Sequence, residues 1–102
     1  MSGYRPAFAD PEAYHLVGPF IASVRRGLDI TQAQVSEATG FSIQSISRFE
    51  NGKVSPTTVM AAYVIGYVLD QVEPKPSVAD VIATFDEFVA ENKTFSAPIM
   101  DS

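Results

Sequence analysis

Two helix starts and two helix stops crowd into the stretch from Thr31 to Gly52, and this spacing limits the chain more than any other feature. Thr31-Gln32-Ala33-Gln34 is a capping box, with Thr31 as N-cap and Gln34 reaching back. The helix it opens is short and is expected to stop near Gly40, as a left-handed residue. Ser42 caps a second short helix, Ile43 to Glu50, and Asn51-Gly52 ends it because both residues tolerate a positive φ. Strand-like alternation is not sustained anywhere. The expectation is an all-α fold: a compact bundle of about five short helices with an extra C-terminal amphipathic helix.

The flanking segments carry their own punctuation. Asp10-Pro11-Glu12 reads as a helix start that ends near Gly18, after which Pro19 opens the next helix. Ile21, Val24 and Leu28 make an apolar stripe on that helix. Ser55-Pro56 repeats the cap signature and predicts a longer helix from about Pro56 to Leu69. Glu73-Pro74-Lys75-Pro76 is an extended break. Ser77 caps a last helix to about Asn92, followed by a loose tail. The expected organisation is an arm at 1–18, a helix-turn-helix unit at 19–70, a linker and C-terminal helix at 71–93, and a flexible tail at 94–102.

Composition excludes several chemistries. The 102 residues hold no Cys and one His, so neither a thiolate nor a histidine metal cluster can form within one chain. No nucleophile–base pair or phosphate-cradling glycine loop is present, so the chain is not expected to be an enzyme or to need a cofactor. The start lacks the pattern of a signal peptide, and no apolar run approaches a membrane span. The expected location is the cytoplasm, with the nucleoid, and no membrane partner.

Two short helices joined by a tight turn have the shape of a helix-turn-helix, whose second helix enters the major groove. The stretch from Ile30 to Lys53 resembles the lambda-repressor-like, Cro/xenobiotic-response-element family of DNA-binding domains. The matching elements are the Thr31-Gln32 opening, Gly40 before the turn, the Ser42 cap, and Ile46-Ser47-Arg48-Phe49-Glu50-Asn51-Gly52-Lys53 at the close. Ser55-Pro56 also fits, and the likeness extends over roughly Pro19 to Leu69. Ser36 departs from the pattern, which usually has Ala there. The resemblance implies that Gln32 clamps a phosphate and that Glu50 pairs with Arg25.

On this reading Val35, Ile46 and Phe49 face inward and Phe41 packs at the turn. Ile43, Gln44, Ser47 and Arg48 are the expected base contacts. Gln44 can pair with adenine, Arg48 with guanine, and Ile43 can touch a thymine methyl. Gln32, Ser42, Ser45, Asn51, Gly52 and Lys53 are the expected phosphate contacts. Arg26 is either a further phosphate contact or part of a solvated face.

The net charge is −5, but the acid is unevenly spread. Residues 19–54 carry four cations against three anions, and residues 55–102 carry two against seven. With so few cations per subunit a lone copy should bind DNA weakly, so a homodimer on an inverted repeat of double-stranded DNA is expected. Val78, Val81, Ile82, Phe85, Phe88 and Val89 form one wide stripe, either a dimer interface or the completion of the core. The arm, with Tyr4, Phe8 and Tyr14, either packs on the same surface or reaches a partner. The function expected is a sequence-specific transcriptional regulator, a dimeric repressor of phage-repressor or antitoxin type. The alternative is an interaction module whose acidic C-terminal half binds a partner protein, with DNA contact secondary.

Overall fold

A computed structural model describes the backbone of residues 11–101 and the side chains of residues 13–92. The described residues form helices and turns, with no strand among them. A 3-10 turn, Pro11–Leu16, precedes α1 (Val17–Gly27), α2 (Gln32–Thr39), α3 (Ile43–Glu50), α4 (Val59–Asp70) and α5 (Val78–Asp101). The fold is all-α, as the punctuation predicts. No helix among the described residues is long and apolar enough to cross a membrane.

The first expected break does not occur. The 3-10 turn runs directly into α1, so Gly18 and Pro19 lie inside its first turn. Pro19 is the third helical residue, where the backbone N–H has no partner within the helix, so its absence costs nothing. Gly18 is a packing residue rather than a stop: a Cβ there would lie 1.7 Å from the Phe49 carbonyl oxygen. Asp10, expected to cap this segment, lies outside the described residues.

The two central helices begin and end largely as their sequence signals dictate. Gln34 N donates to Thr31 Oγ1 at 3.0 Å, and Thr31 N donates to Gln34 Oε1 at 2.7 Å. Gly40 closes α2 at φ 83°. Ser45 N donates to Ser42 Oγ at 3.1 Å. At the end of α3 only Gly52 is left-handed, at φ 76°, whereas Asn51 stays at φ −98°. The Asn51 amide instead donates back to the Ser47 carbonyl at 2.8 Å, which holds it in place without a positive φ. Thr31→Ala should cost about 1 kcal/mol. A thermal melt should show Tm lower by roughly 4–8 °C, and an unchanged Tm would show that the box contributes nothing to stability.

The start of α4 is later than Ser55-Pro56 suggests. Ser55 Oγ accepts from Thr57 N at 3.2 Å in a local turn, and Thr58 is the cap, accepting from Ala61 N at 3.2 Å. The Ser55 and Thr57 hydroxyls bond each other at 2.7 Å within this turn, so Thr58 is the hydroxyl that opens the helix. The α5 cap is as expected: Asp80 N donates to Ser77 Oγ and Ser77 N donates to Asp80 Oδ2. The helix then continues past Asn92 to Asp101, since no glycine or proline interrupts it before Pro98.

Phe49, Ile21, Ile46, Val35, Val64 and Val68 are the largest fully buried side chains. From α5, Phe85 and Val89 join this core, and the Phe20 ring meets Phe85 and Phe88 edge-on at 5.3 and 5.6 Å. The six-residue stripe expected as a dimer interface therefore divides. Its Phe85, Phe88 and Val89 edge is taken up by the chain's own core, because the stripe is wide enough for one edge to face α1. Val78 remains 77 % exposed, and Val81 and Ile82 are half-buried. Of the arm's aromatic residues, Tyr14 is exposed, and Tyr4 and Phe8 lie outside the described residues.

Candidate nucleic-acid interface

A buried ion pair ties α1 to the last residue of α3. Arg25 Nε donates to Glu50 Oε2 at 2.7 Å, and its second terminal nitrogen donates to Oε1 at 2.9 Å. The remaining terminal nitrogen donates to the Ile30 carbonyl at 2.7 Å. Both residues are buried, and this bidentate arrangement, with a further acceptor, is what a desolvated guanidinium requires. The pairing implied by the resemblance is therefore present.

Glu50 holds a third element. Gln32 Nε2 donates to Glu50 Oε1 at 2.8 Å, which ties the first residue of α2 to the last residue of α3. An ionised carboxylate only accepts, so the Gln32 amide must turn its nitrogen toward Glu50. One of its two N–H bonds is used there, and the other remains to donate elsewhere. Sequence spacing did not reveal this bond, because it joins residues 18 apart.

Helix α3 has two unlike faces. Ile46 and Phe49 have no exposure and pack with Val35 of α2. On the other side Gln44 and Arg48 are exposed, and Ile43 is 45 % exposed. Ser47 and Ser45 are half-buried beside them. The Ser45 hydroxyl lies 3.0 Å from that of Ser42, and Ser47 Oγ lies 3.4 Å from the Asn51 amide nitrogen. Asn51 and Lys53 are exposed just beyond the helix. The expected base contacts thus share one side of α3, and the expected phosphate contacts lie at its two ends and at Gln32.

The Ser36 departure has a structural use. Its hydroxyl donates to the Phe41 carbonyl at 2.6 Å, which adds a hydrogen bond across the turn that an alanine could not make. Phe41 is half-buried, with its ring 6.0 Å from that of Tyr63. Arg26 is exposed and shares a shallow concavity of about 440 Å³ with Asp29, Thr31 and Gln32. Its place beside the start of α2 was not evident from the Arg25-Arg26 pair alone.

Residues 21–62 match the model of the family described as Helix-turn-helix, of the lambda repressor/Cro-like kind. No curated protein and no solved structure matches the chain. The matched stretch runs from α1 into the first turn of α4 and contains the Arg25–Glu50–Gln32 network and both faces of α3. Over residues 21–62 the chain is accordingly similar to helix-turn-helix segments of the lambda repressor/Cro kind.

Proposed function

We propose that the chain is a sequence-specific transcriptional regulator, a repressor that reads an inverted repeat as a two-fold pair. The observation that carries this reading is the exposure of Gln44 and Arg48 on a helix whose opposite face is locked into the core. Gln44 reads adenine, Arg48 reads guanine, and Ile43 and Ser47 complete the base contacts. Gln32, through its remaining N–H, holds a phosphate at the start of α2, and Arg26 supplies a cation beside it. Ser42, Ser45, Asn51, Gly52 and Lys53 hold the backbone at the ends of α3. Two copies place their α3 helices in successive major grooves, and bound protein blocks a promoter by occupying it.

The test is selection of bound sequences from a random duplex library, followed by titration of the best site. An enriched inverted repeat supports the reading. Loss of all enrichment by folded protein sinks it, and a lone half-site removes the two-fold pair while leaving base reading intact. Gln44→Ala with Arg48→Ala should weaken the selected site by roughly a hundred-fold or more, since each bidentate contact is worth about 1–3 kcal/mol. Both side chains are exposed, so the circular dichroism spectrum and Tm should hold. A double variant that binds as tightly as the parent would place base reading elsewhere.

A further inference from the structure

The connector between α4 and α5 carries a ridge, a trough and a charge pair on one face. The trough has a volume of about 420 Å³ and is lined by Leu69, Asp70, Lys75, Val78, Val81 and Ile82 among others. Val78 stands at its edge, 77 % exposed. Asp70 and Lys75 form an ion pair at 2.8 Å, with side chains 66 % and 57 % exposed. An exposed pair of this kind contributes little to the stability of its own chain and can be exchanged at small cost. The hydrogen bond from Lys75 to Asp70 raises the lysine above its ordinary value of 10.5, so the cation is present throughout the neutral range.

A two-fold interface brings one patch against itself, so the patch must fill its own hollow and balance its own charge. Most of the surrounding half of the chain is acidic, with seven carboxylates against two lysines over residues 55–102, and copies of that half repel one another. The trough is the exception, because it holds one charge of each sign. We infer that a second copy of this chain docks here, Val78 of each copy entering the other's trough while Asp70 and Lys75 exchange partners across the two-fold axis. This gives a surface to the two-fold pair proposed above and rests on that reading.

Charge swapping tests it. Asp70→Lys and Lys75→Asp each set two pairs of like charges across the axis. Each variant alone should therefore be monomeric in sedimentation equilibrium where the parent is a dimer, with a dissociation constant weaker on the order of a hundred-fold. Mixed in equal amounts, the two variants should pair, because both contacts become attractive again; an exchange within one chain cannot produce that rescue. Val78→Asp should also be monomeric, with its Tm unchanged. A monomeric parent, a parent-like dimer in all three variants, or a mixture that fails to pair would each overturn the proposal. Binding to a single half-site duplex, measured on the same proteins, separates this from base reading. Monomeric variants that still bind the half-site support the assignment of these residues to assembly, whereas a parent that binds neither the half-site nor the selected inverted repeat overturns the DNA reading itself.

Discussion

Glu50→Ala is expected to destabilise the fold by about 3–5 kcal/mol, the cost of leaving a buried charge without its partner. Arg25 is the charge left behind: it is buried and gives two of its hydrogen bonds to Glu50. A domain has only about 5–15 kcal/mol in total, so this single change removes a large share. Gln32 loses its anchor at the same time, and with it the bond between the start of α2 and the end of α3. Urea unfolding measures the loss directly. Arg25→Met combined with Glu50→Leu should recover part of it, because an apolar pair of similar volume leaves no buried charge behind. If Glu50→Ala unfolds within about 1 kcal/mol of the parent, the pair is not what fixes the helices.

Gly18→Ala is the second large effect, and it has a different cause. The added carbon would sit 1.7 Å from the Phe49 carbonyl oxygen and 2.7 Å from its carbonyl carbon, so α1 and α3 would have to separate. Overpacking usually costs about 1–3 kcal/mol. Here the obstacle is backbone rather than a side chain that can turn aside, and the loss should lie at or above the upper end of that range. Gly27→Ala, in the same helix, is the control. Nothing lies within 4 Å of the added carbon there, so the variant should gain about 0.5–1 kcal/mol from helix propensity. Denaturant midpoints of the two variants should therefore shift in opposite directions, and equal shifts would show that helix propensity rather than the α1–α3 contact governs Gly18.

These two residues mark where sequence reading succeeds and where it stops. The caps at Thr31, Ser42 and Ser77 and the left-handed Gly40 are legible because each is decided by hydrogen bonds within a few residues. The inward set Val35, Ile46 and Phe49 is legible because periodicity on two short helices leaves one consistent face. Gly18 is not: Gly-Pro looks like a break in the chain, and only the passage of α3 across α1 makes the glycine necessary. The cap at Thr58 is not legible because three hydroxyls, those of Ser55, Thr57 and Thr58, fall within four residues and the sequence does not say which are already engaged in a turn. The bond between Gln32 and Glu50 was likewise hidden, since neither residue signals the other. The α5 stripe reads as one surface, but its division between core and solvent depends on where α1 lies.

That division also separates the stretch that matches the helix-turn-helix family from the unit that folds. Phe85 and Val89 close the core from well outside residues 21–62. A graft cut at the matched boundaries would carry the exposed face of α3 but leave the hollow that these two side chains fill. A fusion or domain swap therefore needs its junction beyond Val89. By the same logic, a protease that severs the connector at residues 71–77 would melt the helix-turn-helix unit rather than merely release its tail.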